Sequence, residues 1–273
     1  MSEAKRSIDS SDRAVFVRLN GRLAQFKCPP TQEFWEDHWR SLTDDEVAYV
    51  LRRSASMASH GSFFRRHIPP GSRVLEAGCG VGLWVRRLRE NGYNAIGLDY
   101  ARETLGRSKR IARDLPFVAG DLRNLPFSDE TLDAHLSFGV IEHYVDGPAA
   151  LLKEAQRVLR PGGTILASVP QVNVTRKKIA GHSPDEAEAL GYRFYQYYYE
   201  PNELHELMSD FGFDPIQDSH AYSAYHGLRE SFPLLPNLEG RFSWIRRAGL
   251  VLDYMPGLAR RFGHMVFIAG KKR

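Results

Sequence analysis

The middle of the chain alternates short apolar runs with segments whose apolar residues recur at helical spacing. A short apolar run bounded by turn residues is typical of a strand that is buried on both faces. Strands that alternate with helices are typical of a mostly parallel sheet covered on both sides. The pattern therefore predicts a doubly wound α/β domain. The predicted strands are residues 73–77, 94–99, 117–121, 132–138 and 164–169, and the predicted helices between them are 83–91, 102–113 and 148–160.

The N-terminal part of the chain follows a different pattern. Residues 1–30 are polar and of mixed composition. We predict a weakly ordered arm that could include one short helix. Two helices are predicted next, at 31–40 and 43–60. The first of them presents four aromatic side chains on one face, because their spacing matches the helical repeat. These side chains are Phe34, Trp35, His38 and Trp39.

The C-terminal part predicts one more helix, at 202–211 after Pro201, and strands at 213–221 and 264–269. Two long connections separate these elements from the regular alternation, and such connections are usually functional. We therefore divide the chain into two parts. These are an arm with cover helices, residues 1–60, and the α/β domain, residues 61–273, with insertions at 171–200 and 222–263.

Composition restricts the class of protein only mildly. The net charge is +4 at pH 7, from 37 basic and 33 acidic residues, which is too small to indicate a nucleic-acid partner. Cys28 and Cys79 are isolated, and isolated thiols suit a reducing compartment, so we expect a cytoplasmic protein. No apolar run reaches the length of about 18 residues that a membrane-spanning helix needs.

Three alternate glycines follow the first predicted strand of the α/β domain. Glycine lets a ligand approach bare backbone, and the helix that comes next offers unsatisfied N–H groups. The dinucleotide-binding fingerprint would place a further glycine at position 83, which is Leu83 here. The observed order is Glu76-x-Gly78-x-Gly80-x-Gly82, and a carboxylate at this point suits a cationic ligand rather than a pyrophosphate.

Acidic residues end the first three predicted strands of this domain: Glu76, Asp99 and Asp121. Ligands of open α/β sheets bind at the carboxyl ends of the strands. A carboxylate at the second strand can accept hydrogen bonds from both ribose hydroxyls, and one at the third strand can accept from the amine of adenine. Three acids at successive strand ends indicate a nucleoside-containing ligand more strongly than any one of them does.

This arrangement resembles motif I of the class I S-adenosylmethionine-dependent methyltransferases. Further segments are similar to the family's loop into strand four, its motif IV and its segment before strand five. These are residues 124–133, 137–143 and 154–163. The resemblance covers about residues 70–170 and, more loosely, 199–222 and the last strand. It implies a seven-stranded, mostly parallel sheet with an antiparallel last strand, and S-adenosylmethionine as the cofactor.

The resemblance also implies roles for individual residues. The glycine loop would lie under the methionine part of the cofactor, and Glu76 would help to hold its ammonium group. Asp99 would bind the ribose, Asp121 the adenine amine, and Tyr100 and Leu122 would flank the ribose and the adenine. The full set of predicted cofactor-binding residues is Glu76, Gly78, Cys79, Gly80, Gly82, Asp99, Tyr100, Asp121, Leu122 and Phe138.

His143 is the candidate catalytic base, because it follows strand four and histidine titrates near neutral pH. The alternative is a structural histidine bonded to nearby loop backbone. Glu142 and His143 are too few ligands for a metal ion, so we predict no metal. Ser137-Phe138-Gly139-Val140 replaces the Asn/Asp-Pro-Pro-aromatic tetrad of enzymes that methylate nucleic-acid amines, which argues against such a target.

The two insertions leave the acceptor open. A tyrosine cluster in the first insertion either lines an acceptor pocket or packs over the sheet edge. The basic and apolar segment 234–262 predicts a helical lid over a small molecule, with peripheral membrane contact as the alternative. The same resemblance places N-terminal helices over the cofactor, whereas the aromatic helix at 31–40 could instead cover a sheet edge. The tyrosines are Tyr192, Tyr195, Tyr197, Tyr198 and Tyr199.

The function that we predict is transfer of a methyl group from S-adenosylmethionine to an oxygen or nitrogen of a small organic acceptor. A sugar or a quinone-like ring is an acceptor that the resemblance alone suggests. The alternatives are a non-catalytic cofactor-binding protein, a nicotinamide-dependent oxidoreductase, which Leu83 disfavours, and a methyltransferase for a lipid-like or macromolecular acceptor.

Overall fold

A computed structural model of the protein describes residues 14–27, 32–52, 61–222, 224, 225, 227 and 255–273. These residues form a seven-stranded sheet with helices on both faces and a separate three-stranded sheet. The strands of the large sheet are β3 (Arg73–Ala77), β4 (Asn94–Asp99), β5 (Phe117–Ala119), β6 (Leu132–Phe138), β7 (Leu159–Pro170), β9 (Phe213–Tyr222) and β10 (Met265–Lys272).

The order of strands across the large sheet is β5-β4-β3-β6-β7-β10-β9. The first five are mutually parallel, and β10 pairs antiparallel with both β7 and β9. The chain therefore winds outward from β3 in one direction and then from β6 in the other. This arrangement confirms the predicted doubly wound fold with an antiparallel last strand. It also puts the point of reversal at the carboxyl ends of β3 and β6, where such sheets bind ligands.

Helices cover the two faces because the buried strands are apolar on both sides. Consecutive strand residues point to opposite faces, so Val74 packs in one hydrophobic cluster with Val85 and Leu88, and Leu75 packs in the other with Leu152. The helices are α1 (Gln32–Arg40), α2 (Asp44–Arg52), α3 (Gly61–His67), α4 (Leu83–Glu90), α5 (Arg102–Ile111), α6 (Ala149–Val158), α7 (Pro184–Ala189), α8 (Pro201–Asp210) and α9 (Pro256–Phe262).

Strand β5 ends, and strand β7 begins, at a residue other than the one that the sequence predicts. Strand β5 ends at Ala119 rather than at Asp121, and Asp121 makes only an isolated bridge with Asn124. Strand β7 begins at Leu159, although the Pro161-Gly162-Gly163 sequence was expected to separate helix and strand. Gly162 has a positive φ of 73° within this stretch, and the register against β6 shifts between Leu132 and Ala134. An irregular strand start thus takes the place of the expected turn.

The prediction of a weakly ordered N-terminal arm is wrong for residues 15–27. Strands β1 (Val15–Leu19) and β2 (Arg22–Lys27) form an antiparallel hairpin. Its two-residue turn is Asn20-Gly21, with φ of 51° and 80°, and Asn-Gly is the preferred sequence for such a turn. The hairpin could therefore have been found from the sequence. The predicted second helix ends at Arg52 in the structure, and residues 53–60 lie outside the described part of the chain.

The first insertion completes the small sheet. Strand β8 (Arg193–Tyr197) lies within residues 171–200 and pairs antiparallel with β2, so a segment from the N-terminus and a segment from the insertion share one sheet. This sheet packs on the large sheet through the same hydrophobic cluster, which includes Val17, Phe26 and Tyr197. The structure therefore joins two regions that the sequence analysis assigned to separate parts of the chain.

Most of the second insertion, residues 228–254, lies outside the described part of the chain. The predicted lid and the possible membrane contact at 234–262 fall largely on these residues and stay predictions. Helix α9 forms the described end of the insertion. Among the described residues, the structure contains no helix that is both long and apolar enough to span a bilayer.

Replacing Phe26 with alanine should destabilise the protein by about 3 kcal/mol, the usual cost of removing a buried phenyl ring. Phe26 is 2% exposed and packs edge-to-face against Phe194, so it holds β2 against β8. Urea unfolding followed by circular dichroism measures the change. Tyr49→Ala is the control, since Tyr49 is 63% exposed. Equal stability of Phe26→Ala and the unchanged protein would contradict a contribution of the small sheet to global stability.

Candidate active site

The glycine loop runs from the end of β3 to the start of α4. Gly78, Gly80 and Gly82 have φ values of 81°, 52° and 86°, a region that favours glycine. The backbone N–H groups of Gly78 and Cys79 both donate to the carbonyl oxygen of Leu98, at 2.8 and 3.1 Å. The last residues of β4 therefore hold the loop in place against its neighbouring strand.

None of the three glycine positions has space for a Cβ atom. A Cβ at Gly78 would lie 2.5 Å from a methyl carbon of Val140, and one at Gly80 would lie 2.5 Å from the ring of Trp39. A Cβ at Gly82 would overlap the ring of Phe117. The first two glycines thus allow the loop to pass closely beside the walls of a cavity, whereas the third allows the core to pack.

A cavity of about 600 Å³ opens at the carboxyl ends of the parallel strands. Eight of the predicted site residues line it: Gly78, Gly80, Asp99, Tyr100, Asp121, Leu122, Phe138 and His143. The same lining does not include the predicted residues Glu76, Cys79 and Gly82, and all three are buried. The remaining lining residues are Trp35, Trp39, Arg102, Gly120, Arg123, Gly139, Val140 and Tyr144.

Helix α1 forms one wall of this cavity with Trp35 and Trp39. Sequence periodicity predicted that these two residues share an aromatic face, and the structure turns that face towards the strand ends. Glu36 anchors the helix, because its carboxylate accepts hydrogen bonds from the backbone of Glu103 and Thr104 at the start of α5. The interpretation of α1 as a helix over the cavity is therefore favoured over that of a simple sheet cover.

Asp99 is a buried carboxylate that connects β4 to the glycine loop. Its Oδ2 accepts from the N–H of Gly80 at 2.8 Å, and its Oδ1 accepts from the N–H of Ala101 at 3.0 Å. Burial raises the pKa of Asp99, and the backbone hydrogen bonds oppose that shift. A carboxylate has further acceptor sites, so Asp99 can also accept from a ligand in the cavity.

Glu76 is 3% exposed, and its Oε2 atom has no hydrogen-bond partner among the described residues. Burial raises the pKa of Glu76 well above its usual range, and the negative charge of Asp99 adds to this effect. Buried polar atoms are normally paired. Glu76 therefore retains acceptor capacity beside the loop, which is the capacity that an ammonium group would use.

Asp121 is placed differently from Asp99. It is partly exposed and holds the guanidinium of Arg123, with Oδ2 accepting from an N–H at 2.8 Å. Its Oδ1 also accepts from the backbone N–H of Arg123 at 2.8 Å. The ion pair lowers the pKa of Asp121. An adenine amine would have to share this carboxylate with Arg123, a partner that strand-end position alone does not indicate.

His143 lies on a 3₁₀ turn (Ile141–His143) just beyond β6. Its Nδ1 atom is 2.8 Å from the carbonyl oxygen of Tyr195. A carbonyl only accepts, so Nδ1 carries the proton and Nε2 keeps a lone pair in the neutral ring. Burial lowers the pKa of His143 to about 4, so the ring is neutral at pH 7. The ring thus bonds to backbone of β8 and still keeps a nitrogen that can act as a base.

The tyrosine cluster of the first insertion divides into two groups. Tyr197, Tyr198 and Tyr199 are at most 2% exposed, and the hydroxyl of Tyr197 donates to the carbonyl oxygen of Val145. Tyr197 and Tyr199 belong to the hydrophobic cluster that joins the two sheets, and half-buried Tyr192 packs against it. Tyr195 instead meets the ring of His143, with 4.8 Å between ring centroids. Packing over the sheet edge thus describes most of the cluster, and one member contacts the candidate base.

Several lining residues were not singled out from the sequence. Arg102 opens α5, Gly120 and Arg123 lie close to Asp121, Gly139 and Val140 lie within the motif of residues 137–143, and Tyr144 follows that motif. Their proximity to recognised motifs was the available indication. Among the described residues, no group of three or more histidine, cysteine, aspartate or glutamate side chains is placed to hold a metal ion.

Glu142 is 1% exposed, and burial raises its pKa to about 8. The native protein then binds this proton more tightly than the unfolded chain, so stability falls as pH rises from about 4.5 to 8. Glu142→Gln stays neutral and should lose this dependence. It should match the unchanged protein at pH 4.5 and be more stable by on the order of 3 kcal/mol at pH 8.

Urea unfolding at several pH values measures this difference. Glu188→Gln, at an exposed carboxylate on α7, is the matched control and should follow the unchanged protein throughout. Parallel stability curves for Glu142→Gln and the unchanged protein would contradict the raised pKa.

Comparison with known proteins agrees with the geometry. A family model described as "Methyltransferase domain" matches residues 75–167. A demethylmenaquinone methyltransferase of Clavibacter sepedonicus is 33% identical over 221 residues, which cover 75% of this chain and 79% of that protein. A probable S-adenosylmethionine-dependent methyltransferase of Mycolicibacterium smegmatis is 35% identical over 44% of this chain. The chain spans about half the length of several curated relatives, including 49% of the Mycolicibacterium protein.

Solved structures share the fold. A Burkholderia thailandensis 1,6-didemethyltoxoflavin-N1-methyltransferase, solved with bound 1,6-didemethyltoxoflavin and S-adenosylhomocysteine, superposes with a TM-score of 0.51. The two sequences are 18% identical, and the superposition covers 93% of this chain and 96% of that one. Together with the matching family model and the extensive match to the Clavibacter protein, this fold shows that the chain belongs to the class I S-adenosylmethionine-dependent methyltransferase family.

Proposed function

We propose that the protein transfers a methyl group from S-adenosylmethionine to an oxygen or nitrogen of a small organic acceptor bound in the cavity beneath α1. The observation that carries the proposal is the glycine loop at the cavity wall, with the carboxylate of Asp99 beside it. The cavity of about 600 Å³ lies within the size range of sites for small molecules.

The residues fit the cofactor by charge and by shape. Gly78 and Gly80 line the cavity, and because a Cβ at either position would clash with Val140 or Trp39, the loop follows this path only with bare backbone. Asp99 lines the cavity and offers acceptor atoms to ribose hydroxyls. Glu76 does not line it, but one of its oxygens has no partner among the described residues and is the acceptor that an ammonium group at the loop would need. Tyr100 and Leu122 contribute apolar surface on the cavity wall. When bound, the cofactor supplies a methyl group on a positively charged sulfur that is already activated for transfer.

The protein's remaining tasks are to orient the acceptor and to remove its proton. His143 faces the cavity with Nε2 unprotonated, so it can accept the proton of an acceptor O–H or N–H as the new bond forms. Trp35 and Trp39 reduce the access of water from the side of α1. Orientation and exclusion of water account for most of the rate that such a site can provide.

The names of relatives support a small acceptor. Demethylmenaquinone, a quinone, and 1,6-didemethyltoxoflavin, a nitrogen heterocycle, are organic compounds rather than macromolecules and appear in the names of the Clavibacter and Burkholderia proteins. The Ser137-Phe138-Gly139-Val140 sequence at the end of β6 also lacks the tetrad of enzymes that methylate nucleic-acid amines. An organic acceptor that is not a macromolecule therefore remains the favoured class.

Asp99→Asn should weaken the binding of S-adenosylmethionine and S-adenosylhomocysteine by about 10- to 100-fold, because hydrogen bonds to a charged group contribute about 1.5–3 kcal/mol. Calorimetric titration measures both affinities, with NAD as a ligand control. Asp114→Asn is the matched protein control, since Asp114 is an exposed acid paired with Arg86. Unchanged affinity in Asp99→Asn would refute the ribose assignment. Absence of binding by the unchanged protein would refute the proposed function.

His143→Gln should lower turnover by about 100-fold or more, the usual contribution of a general base, and leave cofactor affinity unchanged. Release of S-adenosylhomocysteine with a panel of small hydroxy and amino compounds measures turnover. His182→Gln, at a half-exposed histidine on the surface, is the control. Full activity of His143→Gln with an accepted compound would leave His143 with a structural role only.

A further inference from the structure

The small sheet places Lys27 close to His143, the candidate base, through the ring of Tyr195. Lys27 is the last residue of β2 and lies opposite Arg193 of β8. Its ammonium nitrogen is 3.6 Å from the centroid of the Tyr195 ring. The ring of Tyr195 in turn meets His143, and the carbonyl oxygen of Tyr195 accepts the proton of Nδ1. One residue of β8 therefore contacts both Lys27 and His143.

We propose that Lys27 is a positioning residue for His143: its ammonium group, held on the face of Tyr195, fixes that ring against the imidazole and disfavours a second positive charge there. The consequence is that Nε2 of His143 keeps its orientation and stays unprotonated down to a lower pH than it would without Lys27. The inference rests on the proposed function in one respect, since it takes His143 to be the base. No sequence motif includes Lys27, and the residue does not line the cavity.

The contact geometry supports the first part of the inference, that Lys27 fixes the ring of Tyr195 against the imidazole of His143. An ammonium group within about 6 Å of an aromatic centroid is attracted to the ring face, more strongly where water is excluded. Tyr195 is half-buried, and Phe34 and His143 both pack edge-on against its ring. Lys27 thus contacts a ring that two other rings already contact. The ring, its carbonyl and the imidazole form a single packed unit.

The charge of Lys27 supports the second part of the inference, that protonation of His143 is disfavoured. Positive charges that lie a few ångströms apart repel more strongly at a partly buried site than in water. The positive charge of Lys27 lowers the pKa of His143, in addition to the larger effect of burial, and it also lowers the pKa of His38. An uncharged imidazole is the state in which Nε2 can act as a base, so Lys27 favours the active state.

The other ionisable groups near His143 do not cancel this effect at pH 7. Glu142 is adjacent on the same turn, but burial raises its pKa to about 8, so its carboxyl is mostly neutral. Tyr144 and Tyr195 have pKa values raised by burial and are neutral. His38, on α1, has a lowered pKa and is also neutral. These four described groups are thus mostly uncharged at pH 7 and do not oppose the effect of Lys27 on His143.

The test is the titration of His143 itself, followed by nuclear magnetic resonance of the full chain with labelled imidazole carbons. His143→Gln assigns the resonance. Lys27→Met should raise the titration midpoint of His143 by about 0.5–1 pH unit, the size expected for one screened charge at this range. Lys27→Arg keeps the charge and should keep the midpoint. Lys153→Met, at an exposed lysine on α6, is the control.

Two results would overturn the inference: an unchanged midpoint in Lys27→Met, or an equal shift in Lys27→Met and Lys27→Arg. The titration needs neither cofactor nor acceptor, so it is decided separately from the proposed function, which fails if calorimetry finds no cofactor binding. Where turnover is measured, the acid limb of the pH profile should move upward in Lys27→Met by the same amount as the titration. Circular dichroism of each variant shows whether it is folded.

Discussion

The close passage of bare backbone between β3 and α4 is the constraint on which the site depends. Gly78 and Gly80 run beside Val140 and Trp39 with no room for a Cβ. Three hydrogen bonds hold this path, two to the carbonyl oxygen of Leu98 and one to the carboxylate of Asp99. Since Asp99 belongs to the adjacent strand, the pairing of β3 with β4 aligns loop and carboxylate together. The sheet thus positions the cavity wall before any ligand contributes.

The large sheet could be predicted from the sequence because its information is local. Buried strands such as β4 and β6 are short apolar runs, and their periodicity needs no partner to be recognised. Asp99 and His143 could be placed for the same reason, since each follows directly from a strand end. The pairing of β2 with β8 joins distant segments and gives no periodic signal, whereas the hairpin itself could have been predicted from Asn20-Gly21 but was not. The Arg123 partner of Asp121 was likewise not evident, because strand-end position does not report side-chain pairing.

This division between local and non-local information also separates two parts of the proposed chemistry. The residues that we assign to the cofactor belong to the strand ends and their loops. The environment of His143 depends on the small sheet, because the carbonyl oxygen of Tyr195 selects the tautomer and Lys27 reaches the ring of Tyr195. A base of this kind can therefore be identified as a candidate from its motif, whereas its protonation state depends on contacts that only the fold reveals.

Two buried carboxyl groups reduce the stability of the free protein. Glu76 and Glu142 each keep an oxygen with no partner among the described residues, and burial favours their neutral forms. A chain selected for stability alone would replace such groups with apolar or amide side chains. Glu76 lies in β3, two residues before Gly78. An ammonium group bound at the loop would pair with its carboxylate and offset part of the free energy that burial costs. The burial cost that destabilises the free protein would then be partly offset on binding. A ligand that binds only the folded state stabilises that state.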